Sequence, residues 1–155
     1  IPLAQWSLEI AGEDVPGGRY EKVQDALGDW SVDEDLQYVS SPGIYTCCFS
    51  LDEVLPDKRY LLDLGAVHAA ADVTVNGQAV GHVIFSPYQL DITEFVKVGG
   101  NSLRIKVTPP LRNRLVGKAL SGDPEYRQFA GGFFGASKPI PSGLEGPAAI
   151  KLIAQ

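Results

Sequence analysis

Residues 60–107 constrain the fold most, because short strand-like runs and glycine turns alternate along this stretch. Asn76-Gly77 separates two such runs, residues 72–75 and 78–80. An Asn-Gly pair in this setting is the strongest short-range signal of a β-hairpin, since the tight turn needs positive φ at both central residues. A second glycine turn, Gly99-Gly100-Asn101, precedes another run in which apolar and polar residues alternate. The stretch therefore predicts consecutive antiparallel strands.

The same kind of pattern continues over most of the chain. Further strands are predicted at residues 6–10, 44–51, 60–64, 83–85, 89–92, 102–107 and 148–153. A short helix is predicted at 111–120 and a helical turn after Thr93. Residues 20–41 read as an irregular excursion with room for one short strand, and 121–141 as a long loop. The result is about eight or nine strands with turn signals between them, which favours an all-β, two-sheet antiparallel β-sandwich.

Composition agrees with this fold class and excludes others. The length of 155 residues fits one domain, 1–155, and the 17 glycines and 11 prolines favour a turn-rich all-β chain. No run of 18 apolar residues occurs, so no membrane span is expected, and the net charge of −6 argues against nucleic-acid binding. The adjacent Cys47 and Cys48 should point to opposite faces of a strand, which disfavours a bond between them. Because the chain starts at Ile1 and contains no methionine, we expect a piece of a longer protein.

One set of short motifs carries a resemblance to a known family. Each motif is a turn or the end of a strand, and together they are Leu64-Gly65, Val75-Asn76-Gly77, Val80-Gly81, Asp91-Ile92-Thr93 and Gly100-Asn101-Ser102-Leu103. Their order resembles the accessory sugar-binding β-sandwich of glycoside hydrolase family 2. The resemblance implies a jelly roll of the galactose-binding-domain type.

The flanking segments resemble a second group of enzymes. The matching segments are Trp6, residues 27–31, Gly43-Ile44-Tyr45, residues 113–117 and residues 142–147. They are similar to the C-terminal domain of family 106 rhamnosidases. In both groups the catalytic acids lie in a separate barrel domain, so the resemblance implies a non-catalytic domain of a larger bacterial enzyme. It also implies a secreted protein, extracellular or periplasmic, with the catalytic domain as its partner.

The residues themselves show no catalytic constellation. No G-x-S-x-G, H-E-x-x-H, phosphate loop or G-x-G-x-x-G is present, so the isolated chain is not predicted to be an enzyme. Acidic clusters such as Asp33-Glu34-Asp35 are typical of solvated loops. No cofactor is expected. A structural calcium ion is the one metal candidate, with Asp29, Asp33 and Asp35 as its weak candidate ligands, because loop carboxylates are the oxygen ligands that calcium prefers.

Two groups of residues are candidates for contacts outside the chain. Aromatic rings stack on sugar faces and polar groups reach sugar hydroxyls, which gives as candidate carbohydrate contacts Trp30, Tyr38, His82, Phe85 and Tyr88. Rings set among glycines, and arginines near them, favour an interface between domains. The candidate interface residues are Arg112, Asn113, Arg114, Phe129, Phe133 and Phe134.

Three functions remain open from the sequence. The first is an accessory domain that packs on a catalytic domain and contacts an oligo- or polysaccharide. The second is an autonomous carbohydrate-binding module, which an exposed aromatic platform would favour. The third is a protein-interaction β-sandwich without sugar binding.

Overall fold

The computed structural model describes residues 1–131 and 138–154. Over these residues the chain forms eleven strands: β1 (Trp6–Ala11), β2 (Arg19–Gln24), β3 (Gly43–Leu51), β4 (Lys58–Asp63), β5 (Ala66–His68), β6 (Ala70–Val75), β7 (Gln78–Val83), β8 (Gln89–Asp91), β9 (Gly99–Thr108), β10 (Gly143–Gly146) and β11 (Ala149–Ala154). One α-helix, α1 (Arg112–Leu120), follows β9. Short 3-10 helices occupy Pro16–Gly18, Trp30–Val32 and Pro124–Phe129. None of the helices in the described ranges is long and apolar enough to cross a membrane.

The strands form the predicted antiparallel sandwich. Six of them make one sheet in the order β2-β1-β3-β9-β6-β7. A three-stranded sheet, β11-β4-β8, and a two-stranded sheet, β10-β5, complete the fold. The prediction of an all-β, antiparallel β-sandwich is confirmed, and the described residues contain more strands than the eight or nine expected.

The core lies between the sheets and follows the alternation of the strands. Strand β9 buries Leu103, Ile105 and Val107 and turns the residues between them outward. Tyr60 and Leu62 of β4 enter the same core from the other sheet. Each fully buried leucine or isoleucine stabilises the folded state by about 1.5–3 kcal/mol relative to an exposed one. The alternation of apolar and polar residues therefore determines which face of each strand packs in the core.

Several elements differ from the sequence prediction. Strand β2 is a short strand at the start of the 20–41 excursion, and its position was not predicted because most of its side chains face solvent, which hides the alternation. Strands β5 and β10 have three and four residues, too few for a periodic signal. The strand expected at 83–85 is wrong, because β7 ends at Val83 and Ile84 begins a loop. The predicted Asn76-Gly77 turn is confirmed with φ values of 51° and 79°.

Candidate interaction surfaces

The connection between β7 and β8 carries three of the predicted carbohydrate contacts. His82 is exposed on β7 opposite Asp72, and Phe85 lies in the following loop with 77% of its surface exposed. Tyr88 is partly buried against the core, and its carbonyl oxygen accepts a hydrogen bond from Leu64 N at 2.9 Å. The loop therefore presents Phe85 outward while Tyr88 anchors it to the second sheet.

Trp30, a fourth predicted contact, lies in the core. Only 4% of its surface is exposed, and its ring is parallel to that of Tyr45, with centroids 6.3 Å apart. A Cβ added at Gly43 or Gly143 would lie 2.3 or 2.7 Å from the indole, so the two glycines make room for it. Burial also raises the pKa of the Tyr45 hydroxyl well above its usual range. The Trp30 ring thus has no free face for stacking on a sugar, and packing explains it.

Tyr38, the fifth predicted contact, packs against helix α1. A Cβ added at Gly117 would lie 2.6 Å from Tyr38 Cβ, so the helix crosses the 36–40 segment in close contact. Tyr38 is partly buried there. Its position on the α1 side places it on a different element from Phe85.

The predicted interface residues of α1 are used largely within the chain. Asn113 is fully buried, which corrects the expectation that it reaches a second domain. Its Nδ2 donates to Ile140 O at 2.7 Å and to Ser142 Oγ at 3.1 Å, and Ile140 N donates to Oδ1 at 2.9 Å. Asn113 therefore fastens the helix to the irregular segment that precedes β10.

The two arginines beside it also contact the chain itself. Arg112 donates to Lys138 O at 2.8 Å, and Arg114 is hydrogen-bonded to Glu13. The Arg114 guanidinium also lies 3.8 Å from Asp14. Burial opposes ionisation of Asp14, but hydrogen bonds from Ser41 and Ser40 outweigh it and lower its pKa. The Arg114 contacts hold α1 against the loop between β1 and β2, and the Arg112 contact ties it to residue 138.

The last predicted interface residues are the phenylalanines of the glycine-rich segment. Phe129 ends a 3-10 helix, is partly buried and packs at a tilt on Tyr126, with ring centroids 6.3 Å apart. Phe133 and Phe134 lie outside the described residues. Leu111, just before α1, is 57% exposed.

The carboxylates proposed for calcium serve the local fold. Asp29 accepts from Ser31 N at 2.8 Å and from Ser142 N at 2.9 Å. Asp33 accepts from Tyr20 Oη at 2.9 Å, and burial together with this bond raises the pKa of Tyr20 to about 12. Across residues 1–131 and 138–154, no cluster of three or more acidic, histidine or cysteine side chains is arranged to hold a metal ion. The suggested grouping of Asp29, Asp33 and Asp35 is therefore not formed.

The structure also shows a surface that the sequence analysis did not single out. A hollow of about 570 Å³ lies on the outer face of the six-stranded sheet, and we call it the sheet hollow. Its described lining residues are Gln5, Ser7, Val23, Thr46, Cys47, Cys48, Thr74, Gly77, Ser102, Leu103 and Arg104. The available signal was the short side chains of Ser7, Thr46, Cys48 and Ser102 at outward positions of β1, β3 and β9.

Comparison with known proteins identifies the family that this chain matches. The family model described as the glycosyl hydrolase 2 galactose-binding domain-like domain matches residues 21–130. A protein of Formosa agariphila named "putative beta-glucuronidase" is 38% identical over 117 residues, which are 72% of this chain and 10% of that protein. The chain thus spans about a tenth of the length of this relative.

Solved structures give the same result. The rhamnosidase from Novosphingobium sp. PP1Y superposes with a TM-score of 0.79 and 30% identity, over 97% of this chain and 14% of that one. The Bifidobacterium dentium beta-glucuronidase superposes with a TM-score of 0.57 over 70% of this chain and 20% of that one, and its 22% identity supports the fold alone.

Proposed function

Because the chain belongs to the glycosyl hydrolase 2 galactose-binding domain-like family, we propose that it serves as a non-catalytic accessory domain of a glycoside hydrolase. In this proposal it packs on the catalytic domain of a parent enzyme and contacts carbohydrate near it. The chain covers only 10% and 14% of the two relatives with the higher identities, which leaves ample length for a catalytic domain in such proteins.

The observation that carries the packing role is an exposed apolar rim at one end of the sandwich. Ile84 and Phe85 are 53% and 77% exposed, and Leu111 is exposed as well. The register pairs Ala71 with Val83 and Ala70 with Thr108, so the segments that follow β7 and β9 leave the sheet at the same end. The two strands flank β6 and lie about 10 Å apart, given a strand spacing of about 4.8 Å. Exposed apolar groups gathered in this way favour a contact with another protein surface.

Two carboxylates of the three-stranded sheet, Asp63 and Asp91, are used within the fold. Glycoside hydrolysis uses a pair of carboxyl groups facing the scissile bond across roughly 5–9.5 Å. Here Asp91 binds Arg59 and Thr93, and Asp63 binds Lys151, Gln89 and Gly65. These groups are engaged in turns and ion pairs that hold β4 to its neighbours.

A second candidate function is that of an autonomous carbohydrate-binding module. The exposed ring of Phe85, with the polar His82 on the preceding strand, favours it, because a free aromatic face can stack on a sugar ring. The third candidate, a protein-interaction sandwich without sugar binding, would use the same apolar rim. By family analogy we also place the parent enzyme in a bacterium, outside the cytoplasm.

Two variants of Phe85 and one control variant separate the accessory domain from the autonomous binding module. In the parent protein, we expect Phe85→Asp to expose the rim, which hydrogen exchange would report as faster exchange around residues 84–88 and 111. Val98→Asp changes another exposed apolar residue, at the other end of the sandwich, and serves as the control. Saturable glycan binding by the domain, lost in Phe85→Ala, would instead favour the binding module. Rapid hydrogen exchange at the rim of the unmodified parent protein, together with no glycan binding, would contradict both the accessory domain and the binding module.

A further inference from the structure

We infer that the sheet hollow is covered, in the parent protein, by another segment of the same polypeptide that presents a carboxylate to Arg104. The inference rests on the proposed function, because it assigns a second surface and a specific chemistry to the contact between this domain and the rest of the parent protein. It concerns a face of the domain distinct from the apolar rim at residues 84, 85 and 111.

The register shows how the hollow is built. One cross-strand row runs over all six strands of the sheet, and its members are Val23, Ser7, Thr46, Arg104, Thr74 and Ala79. The members on either side of Arg104 are short, so the row forms a shallow trough in the middle of the sheet. Ser7 and Thr46 share a hydrogen bond between their hydroxyl oxygens at 2.5 Å, which leaves these groups satisfied without an outside partner.

Arg104 is the one long and charged side chain in this row. Arg19, Arg59 and Arg114 form ion pairs with carboxylates. The Arg104 side chain makes no hydrogen bond or ion pair with any of the residues that the structure describes. The chain as a whole carries a net charge of −6, whereas the guanidinium beside the hollow is positively charged. The group that complements it is a carboxylate, which a guanidinium binds with two parallel hydrogen bonds.

The lining favours a protein segment over a sugar. None of the described residues around the hollow is aromatic, so it offers no ring for stacking on a sugar face. The exposed Val23 at one edge supplies an apolar contact instead. A helix or strand carrying one acidic and one apolar side chain fits both features.

A thiol inside the hollow makes the inference testable. Cys48 is exposed and lines the hollow, whereas Cys47 is buried, and burial raises its pKa to about 12. The parent protein is treated with N-ethylmaleimide, and the labelled peptides are quantified by mass spectrometry. A cysteine introduced by Asp52→Cys, exposed directly after β3, gives the reference rate. If the hollow is covered, Cys48 is labelled at least about tenfold more slowly than this reference, because it reacts only when the contact opens.

Charge variants then identify the contact. Arg104→Glu is expected to speed Cys48 labelling about tenfold or more, since it places like charges against each other. Arg104→Lys should keep most of the protection. Lys106→Glu makes the same charge change two residues along β9, outside the lining, and should leave the rate unchanged.

Three results would overturn the inference, and they bear differently on the proposed function. Cys48 labelling as fast as the reference, with slow hydrogen exchange at residues 84–88, would place the interface at the rim and leave the proposed function standing. Fast labelling with fast exchange at the rim would contradict both. Protection of Cys48 that depends on added glucuronate or galacturonate would show that the hollow binds a sugar acid and no protein segment.

Discussion

Asn76 Nδ2 donates a hydrogen bond to Asn101 Oδ1 at 2.8 Å, which links the tip of the β6–β7 hairpin to the start of β9. Asn76 Nδ2 also donates to Phe95 O at 2.8 Å, and its Oδ1 accepts from Ser102 N at 3.0 Å. Asn101 is buried, and its Nδ2 donates to the carbonyl oxygens of Lys97 and Gly99. Two motifs that read as turns in the sequence are therefore one hydrogen-bonded unit in the structure.

This unit predicts that the Asn76 side chain matters apart from its backbone. Asn76→Gly keeps the positive φ that the turn requires but removes three hydrogen bonds, and it should lower the free energy of unfolding by about 1–3 kcal/mol. Gln78→Gly, at the exposed residue after the turn, is the control and should cost about 1 kcal/mol or less. Urea unfolding followed by fluorescence measures both. Equal losses would mean that the side-chain bonds add no stability.

A second prediction concerns the dependence of stability on pH. Hydrogen bonds from Thr93 and the neighbouring Arg59 guanidinium lower the pKa of Asp91 from 3.8 to about 2. A carboxyl group with a lowered pKa stabilises the folded state above its unfolded pKa, and this contribution is lost as the pH falls from about 4 to about 2. Because the pair is largely exposed, we expect the loss to be about 1 kcal/mol or less.

Asp91→Asn tests this assignment. The variant should be less stable than the unmodified chain at pH 6, and the difference should shrink as the pH approaches 2. Urea unfolding midpoints at pH 6, 4 and 2 give the comparison. Glu21→Gln removes an exposed carboxylate paired with Arg19 and is the control, with no such convergence expected. A difference that stays constant with pH would contradict the role of the Asp91 charge.

A third prediction follows from the contact between α1 and Tyr38. Alanine is favoured over glycine inside a helix by about 1 kcal/mol, so Gly117→Ala would stabilise an isolated helix. Here the added Cβ would lie 2.6 Å from Tyr38 Cβ, and we expect a net destabilisation of about 1–3 kcal/mol. Leu120→Ala, at an exposed position of the same helix, should change stability little. Thermal unfolding by circular dichroism reports both, and a stabilised Gly117→Ala variant would disprove the close contact.

The sequence predicted those parts of the molecule in which a local rule and the tertiary fold agree. The Asn76-Gly77 hairpin and strand β9 have clear local signals, although β9 also takes in the 99–101 segment that was predicted as a turn. Helix α1 was predicted within a residue from a mixed helical spacing. Strands β5 and β10 exist only because they pair with each other, so no local pattern marks them. The same holds for Asn113, whose partners lie 27 and 29 residues further along the chain.

The sequence predicted the candidate site residues from their side-chain chemistry alone, because it does not show which side chains are buried. Neither the exposure of an arginine on a strand nor the burial of a tryptophan at the start of a short 3-10 helix is marked by a local sequence pattern. The roles of Phe85, His82 and Tyr88 in sugar contact stay predictions, as do those of the Phe133 and Phe134 interface. Trp30 shows how the two kinds of residue can be separated by experiment.

The fourth prediction contrasts Trp30 with Phe85. Trp30→Ala removes a buried ring that stacks on Tyr45, and we expect a loss of about 3–5 kcal/mol in the free energy of unfolding. Phe85→Ala removes an exposed ring and should change stability by about 0.5 kcal/mol or less. Differential scanning calorimetry measures the two variants side by side. Any loss of ligand or partner binding in Trp30→Ala would then be a consequence of unfolding, whereas the same loss in Phe85→Ala would locate the contact. A stable, folded Trp30→Ala variant would show that the ring is not part of the core and would return Trp30 to the candidate contacts.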